Sequence, residues 1–268
     1  MTLCKFSNKF KNKHTIKNLN IDYVFVDEIS MVHEIYYKFL LIIKQLKPKV
    51  RFIISGDFKQ LPPVCDRVVD IDYKNSNILY ELSDKNRLTL STCRRANDKL
   101  FNICKNVKTI QKSDFDNKFK SINLCYTNKK RIEINKILMD KQVKKNGAGL
   151  KLKANIKNSN SQDVELFDNM PIISMKTDSK LGIVNNEMFT IKSIYRDIIE
   201  ITNENKTIEI SSKHFQHLFY VAYCITIHKS QGSTFDFDYT IHEWEKLDET
   251  LKYVALSRAT KKNLINII

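Results

Sequence analysis

Only five of the 268 residues are glycine, against roughly 19 at an average usage of about 7%. None stands in a G-x-x-x-x-G-K-[ST] or G-x-G-x-x-G arrangement, so this stretch of sequence contains no phosphate-cradling loop of either kind. A hydrophobic content of 42% in a chain this long excludes disorder as the main state, and a net charge of +15 points toward a polyanionic partner such as nucleic acid. That charge is mostly lysine: only eight of the 45 basic residues are arginine, a bias that AT-rich coding produces without selection for binding.

The first twenty residues are lysine-rich with no apolar core, and no run approaches 18 apolar residues, so neither secretion nor membrane spanning is expected. Ile21 to Val26 is a short β-branched and aromatic run that reads as a buried strand ending in Asp27-Glu28. Ser30 is the expected cap of the next segment, where Val32, Ile35, Tyr36, Phe39, Leu40, Ile43 and Leu46 recur at helical spacing until Pro48. Val50 to Ser55 is a second buried strand, ending in Gly56-Asp57. Strand, helix and strand in so short a span predict a parallel βαβ unit, with both acidic tips on the sheet edge where ligands bind in open α/β sheets.

Ile122 to Tyr126 is a third strand of this kind, followed by Thr127-Asn128 and an amphipathic stretch through Ile132, Ile137 and Leu138. Residues 142–165, rich in Lys, Asn and Ser, read as a linker or insertion boundary. Short alternating strands dominate 166–222, punctuated by Pro171, Gly182 and Asn185-Asn186, and predict a small β subdomain inserted into an α/β one. Tyr220 to Ile227, Phe237 to Ile241 and Leu264 to Ile268 then return as strand candidates, and Trp244 is expected to be structural.

The six cysteines at 4, 65, 93, 104, 125 and 224 include no C-x-x-C pair, which fits a reducing intracellular compartment (cytoplasm, nucleus or viral factory) rather than a disulfide framework or zinc ribbon. His214 and His217 form an H-x-x-H that lacks acidic or cysteine partners, so no metal site is expected there. Asp27-Glu28 after a buried strand suits a hydrolytic site in which one carboxylate holds Mg²⁺ through water and the next activates the attacking water. IISGDFKQLPPV places Asp57 and Gln60 on the neighbouring tip, where Gln60 can sense a γ-phosphate. LSTCRRAND, CITIHKSQGSTFD and YVALSRAT add Arg95, Lys229, Gln231 and Arg258, and a guanidinium fork is suited to developing charge on a transferred phosphoryl group.

In order and spacing these strings resemble the superfamily 1 DNA helicases of the Pif and RecD-like branch, which move 5′ to 3′ on single-stranded DNA. The resemblance covers nearly the whole chain. VDEISM resembles Walker B, implying Mg²⁺ coordination by Asp27 and general-base duty for Glu28. GDFKQLPPV resembles motif III, with Gln60 touching the γ-phosphate and Asp57 beside it. LSTCRRAND matches Arg95 to the motif IV arginine, with Arg94 the alternative. CYTNKKRIEIN resembles the opening of the second motor lobe, implying backbone contacts to DNA from Thr127 and Asn128. TIHKSQGSTFD resembles motif V, implying DNA contacts from Thr226, His228 and Lys229 and nucleotide-side contacts from Gln231 and Gly232. YVALSRAT resembles motif VI, with Arg258 the arginine finger, and TLCKF at Thr2 to Phe6 resembles the segment after motif Ia.

The resemblance implies an α/β protein with the RecA-like P-loop NTPase fold: two parallel-sheet lobes, the first incomplete, and a small β-barrel inserted in the second. Residues 1–90 would be the end of the first lobe, 91–145 and 216–268 the second, and 146–215 the insertion, which DNMPIISMKTDSKLGIVNNEMFTI resembles. The implied cofactors are ATP and Mg²⁺, bound with Asp27, Glu28 and Gln60 on one wall of a cleft and Arg95 and Arg258 on the other. The implied activity is ATP-driven translocation and duplex unwinding on single-stranded and forked DNA, in replication, repair or recombination. The family's Walker A loop is expected upstream of Met1, so an N-terminal fragment supplying the P-loop is an expected partner, and the chain alone is expected to lack turnover. Two rival readings share the motifs: a superfamily 1 RNA helicase, and a non-catalytic nucleic-acid-binding helicase fragment.

Overall fold

Two apolar runs, Tyr23–Val26 (β1) and Arg51–Ile54 (β2), lie side by side in parallel register from Tyr23 opposite Arg51 to Val26 opposite Ile54. The computed structural model that shows this describes residues 3–63 and 72–268; Thr2 of TLCKF, Val64 of GDFKQLPPV and Cys65 lie outside the described residues. The chain divides into two units, Met1–Cys93 and Arg94–Ile268.

In the first unit, α1 (Leu3–Lys9) and α2 (Lys13–Lys17) precede β1, and α3 (Glu34–Leu46) joins it to β2, with α4 (Asn77–Leu82) beyond. The predicted helix is present, but Ile35 of the expected stripe is exposed while Tyr37 is buried, and the cap is not Ser30. Ser30 is buried in a 3-10 turn at Ile29–Met31, and His33 starts α3 instead, its Nδ1 accepting from the Ile35 N–H at 3.2 Å. Helix α3 buries Tyr37, Leu40 and Ile43 among Val26, Ile29, Val50, Phe52 and Leu82. The alternate residues Tyr23, Phe25 and Ile53 are 57%, 72% and 50% exposed, so one face of this two-stranded sheet is apolar and uncovered among the described residues. Parallel sheets are ordinarily covered on both faces.

The second unit opens with α5 (Asp98–Lys105), β3 (Ile122–Cys125) and α6 (Asn128–Asn146). It continues through β4 (Leu150–Leu152), β5 (Val164–Leu166), β6 (Pro171–Ser174), β7 (Met188–Tyr195), β8 (Ile198–Thr202), β9 (Thr207–Ser211), α7 (Ser212–Leu218) and β10 (Phe219–Val221). It closes with β11 (Cys224–Thr226), β12 (Tyr239–Ile241), α8 (Glu249–Leu256) and β13 (Ile265–Ile267). Strands β11-β3-β12-β13 form an all-parallel sheet in that order, nearly every residue buried, as continuous apolar runs require. Strands β10-β6-β7-β8-β9 form an antiparallel sheet, with β4 paired to β5 beside it. Residues 142–165 are therefore not a bare linker: they hold the end of α6 and the β4–β5 pair. The antiparallel sheet also runs past residue 215, because β10 pairs with β6.

The run from Tyr220 to Ile227, which reads as one strand, is two. Val221 belongs to the antiparallel sheet and Cys224 to the parallel one, and buried Asn135 of α6 holds the switch. Its Nδ2 donates to the carbonyls of Val221 and Cys224, both at 3.1 Å, while its Oδ1 accepts from the Cys224 N–H at 2.8 Å. One side chain thus satisfies three backbone groups that leaving one ladder for another would strand in the core.

Candidate functional site

The parallel pairing of β1 and β2 brings the two acidic tips of the first unit together. Asp27 Oδ1 accepts from the Ser55 hydroxyl at 2.7 Å and from the Glu28 N–H at 2.9 Å, while its Oδ2 has no partner among the described residues. Glu28 is left-handed at φ 52 and ψ 43, a conformation that non-glycine residues hold only where the surroundings enforce it. The enforcement is visible: the Ile29 N–H donates to the Ser55 carbonyl at 2.9 Å. Gly56 lets the strand tips approach, since a Cβ there would stand 2.8 Å from Ile29 Cγ2 and 2.9 Å from the Ile29 nitrogen.

Asp57 Oδ1 accepts from the Lys59 N–H at 3.0 Å, and the Asp57 carbonyl accepts from the Gln60 N–H at 2.9 Å, a turn that folds Gln60 back on the tip. Gln60 Oε1 is buried without a hydrogen-bond partner among the described residues. An unpaired buried carbonyl costs about 1–3 kcal/mol, so a donor that reaches it is favoured.

In the second unit the predicted strand-contacting residues share one sheet edge. Strands β3 and β11 pair with Cys125 opposite Thr226, so Thr127 and Asn128 leave the sheet beside Ile227 and His228. Asn128 is exposed; its Oδ1 is taken by Arg131 Nε at 3.0 Å and its Nδ2 has no partner among the described residues. His228 is exposed and its ring stacks on Tyr126, centroids 6.4 Å apart and planes 25° apart. Lys229 is half-buried, donates to Asn186 Oδ1 at 2.9 Å and lies over the Tyr220 ring at 5.9 Å. Burial, and then the neighbouring Arg131 charge, hold its ammonium below the ordinary lysine value.

Thr226 and Thr127 are used internally. Thr226 is buried and its Oγ1 accepts from the Lys229 N–H at 3.4 Å, starting the 3-10 turn Ile227–Ser230. Thr127 caps α6, its hydroxyl accepting from the Lys130 N–H at 3.2 Å and donating to the Glu243 carboxylate at 3.1 Å. Glu243 also accepts from the N–H groups of Tyr126 and Thr127, at 3.1 and 2.9 Å. Burial alone would raise its pKa, but these donors and Lys246 outweigh burial and hold the carboxyl below the ordinary glutamate value.

Of the residues expected to face a nucleotide, Gly232 is left-handed at φ 81, Gln231 Nε2 is buried with no partner among the described residues, and Arg95 is exposed with Nη1 donating to the Ser257 carbonyl at 3.4 Å. Arg258 is 1% exposed: Nε donates to the Val254 carbonyl at 3.0 Å, Nη2 to the Ser257 hydroxyl at 3.0 Å, and Nη1 to the carbonyls of Ser230 and Ser233 at 3.4 and 3.3 Å. As placed, the residue expected to be a finger is turned inward, and Arg95 is the exposed guanidinium of the pair.

Sequence reasoning missed Glu243, Tyr126 and Arg131. Glu243 carried a readable signal, an acidic residue just past the apolar run of β12, the same pattern that singled out Asp27-Glu28. Among the described residues no group of three His, Cys, Asp or Glu is placed to hold a metal ion, and no helix is long and apolar enough to cross a membrane.

No family model and no curated protein matches the sequence. Solved structures do. The chain is similar to Bacteroides Pif1 bound to single-stranded DNA (TM-score 0.67, 20% identity, 96% of this chain and 72% of that one). It is similar to Candida albicans Pif1 helicase (TM-score 0.65, 17% identity, 100% and 77%) and to Pif1 helicase from Bacteroides with ADP-AlF3 and single-stranded DNA (TM-score 0.65, 19%, 96% and 72%). At these identities the likeness speaks for the fold, and the chain has the RecA-like α/β fold of the Pif1 helicases.

Proposed function

We propose that this chain is the motor portion of an ATP-dependent DNA helicase that couples hydrolysis to movement along a single strand and opening of forked DNA. The observation that carries the reading is the second unit's sheet edge, where an unpaired Asn128 amide, an exposed His228 on Tyr126 and the half-buried Lys229 converge on a basic chain. Amide donors, an imidazole and an ammonium suit a phosphodiester backbone. Similarity to Pif1 structures holding single-stranded DNA supports DNA over RNA as the polymer.

On the first unit, Asp27 Oδ2 has no partner among the described residues and lies beside a fixed Oδ1, which fits a carboxylate that would hold Mg²⁺ through water. When bound, Mg²⁺ neutralises charge on the terminal phosphates of ATP. Glu28, fixed in its left-handed conformation beside Asp27, orients and deprotonates the attacking water, and Gln60 Oε1, unpartnered among the described residues, accepts from that water. Within the second unit, Arg95 is an exposed cation, and Arg258 braces the loop of Gln231 and Gly232. Asp27, Glu28 and Gln60 of the first unit suit a terminal phosphate and its water. They supply no cradle for the β-phosphate, so a polypeptide segment bearing G-x-x-x-x-G-K-[ST] is part of the proposed working assembly.

The same missing cradle favours a second reading, a fragment that grips a strand without turnover. One experiment separates the two: single-strand binding and DNA-stimulated phosphate release, measured for this chain alone and joined to a P-loop-bearing segment. Binding by the chain alone, with phosphate release only in the joined protein, is the expected result. Binding without release in either form supports the fragment reading, and absence of binding overturns both. Matched RNA bound more tightly than DNA would replace the polymer assignment.

A further inference from the structure

Helix α6 turns Arg131, Ile134, Asn135, Leu138 and Met139 inward, the i, i+3, i+4, i+7, i+8 stripe of a core-facing helix. An apolar residue is expected at its first position, yet an arginine stands there, 1% exposed and with no carboxylate paired to it among the described residues. An uncompensated buried charge is costly, and Nη1 has no hydrogen-bond partner. Burial holds the guanidinium below the ordinary arginine value. What it does make is directional: Nε donates to Asn128 Oδ1 at 3.0 Å, Nη2 donates to the Asn160 carbonyl, and the plane lies over Tyr220, 4.4 Å from the ring centroid.

The bond to Asn128 has a chemical consequence. A side-chain amide can present either its carbonyl or its NH₂ outward, and a phosphate oxygen only accepts. With Oδ1 held by Arg131, exposed Asn128 presents two donors; flipped, it would present a carbonyl to an anion. Resting on the strand-binding reading above, we propose that Arg131 is a positioning residue that locks the Asn128 amide with its donors facing a nucleic-acid phosphate. Its contacts to Asn160 and Tyr220 fix the guanidinium from the far side, so the lock is rigid before a strand arrives.

The test is a double-mutant cycle on the intact chain, with a fluorescent oligothymidylate followed by anisotropy and each variant checked by thermal melting. Asn128→Ala and Arg131→Met each weaken binding about tenfold, the scale of one hydrogen bond to an ionic group, and the double variant is no weaker than either single. Arg131→Gln places an amide Nε2 where Nε stood, without the charge, and binds within about threefold of wild type, again on the single-bond scale. Losses that multiply in the double variant, or a tenfold loss in Arg131→Gln, overturn the proposal in favour of a structural or purely electrostatic role. If Arg131→Met fails to fold, the Gln variant alone decides by the same threshold. Wild-type protein that binds no strand removes the strand-binding reading and this proposal together, whereas wild-type binding with multiplying losses removes only the latter.

Discussion

Arg258 Nη1 donates to the carbonyls of both Ser230 and Ser233, bracketing the Gln231-Gly232 turn from inside. Arg95 reaches the same neighbourhood from the solvent side, through the carbonyl of Ser257. The two arginines expected to act alike on ATP are thus held in opposite ways, and their substitutions separate. Arg258→Ala leaves buried carbonyls without donors and a cavity in the second unit, at about 2–4 kcal/mol; Arg95→Ala leaves the melting temperature unchanged. Both lower DNA-stimulated phosphate release in the P-loop-joined protein. Thermal melts of the two variants side by side check this, and an Arg258→Ala protein that melts like wild type would refute the brace.

Glu28 carries its functional assignment on a strained backbone. A left-handed non-glycine residue costs about 1–2 kcal/mol, so Glu28→Gly and Glu28→Ala, which lose the same carboxylate, differ chiefly in backbone strain. Glycine's greater freedom in the unfolded chain returns about 0.5–1 kcal/mol of that. Urea unfolding should place the glycine variant above the alanine variant by a net of about 1 kcal/mol, and in the P-loop-joined protein both variants lose hydrolysis. Equal stabilities would mean that the turn relaxes and stores no strain.

Much of this was legible from residue pattern. Continuous apolar runs marked β3 and β12, which are buried, and also β1 and β2, which read as buried but expose Tyr23, Phe25 and Ile53 on one face; helical spacing marked α3. The failures have one cause: a distant partner decides. Nothing within Tyr220 to Ile227 marks a break, since every residue there suits a strand, and only Asn135, 89 residues before Cys224, makes the switch tolerable. Ser30 lost the cap to His33 because its own segment turned inward under the tips of β1 and β2. Nothing in a lysine-rich helix singles out Arg131, whose burial depends on the distant Tyr220 ring and Asn160 carbonyl.

Asn135 therefore offers a sharp stability test. Asn135→Leu keeps the volume and removes one acceptor and one donor group that together serve three buried backbone atoms. At about 1–3 kcal/mol for each buried group left unpaired, a loss of 3 kcal/mol or more is expected. Asn135→Asp keeps the acceptor for the Cys224 N–H but turns lone pairs toward two carbonyls, and should also destabilise. Equilibrium urea unfolding measures both, and a leucine variant within about 1 kcal/mol of wild type would show that the switch finds other partners.

Acid sensitivity follows from His242, buried at the end of β12. Asn123 donates through Nδ2 to the carbonyls of Lys120 and Tyr223, so its Oδ1 faces His242 Nε2 at 2.9 Å and the imidazole donates there. Burial, and then the Lys130 charge, push its pKa from 6.5 down to about 4. Between those values the unfolded chain binds a proton that the folded chain does not, so stability rises with pH across this window. The contribution is complete above pH 6.5, is lost progressively as pH falls toward 4, and changes no further below that, amounting to roughly 3 kcal/mol in all. His242→Gln keeps a donor for Asn123 and cannot titrate. Urea unfolding of both proteins from pH 7 to pH 5, above the range where most carboxylates respond, should show the wild type losing stability faster as acid is added. A difference between the two proteins that stays constant across that range would mean His242 is protonated in the folded state or exposed to solvent.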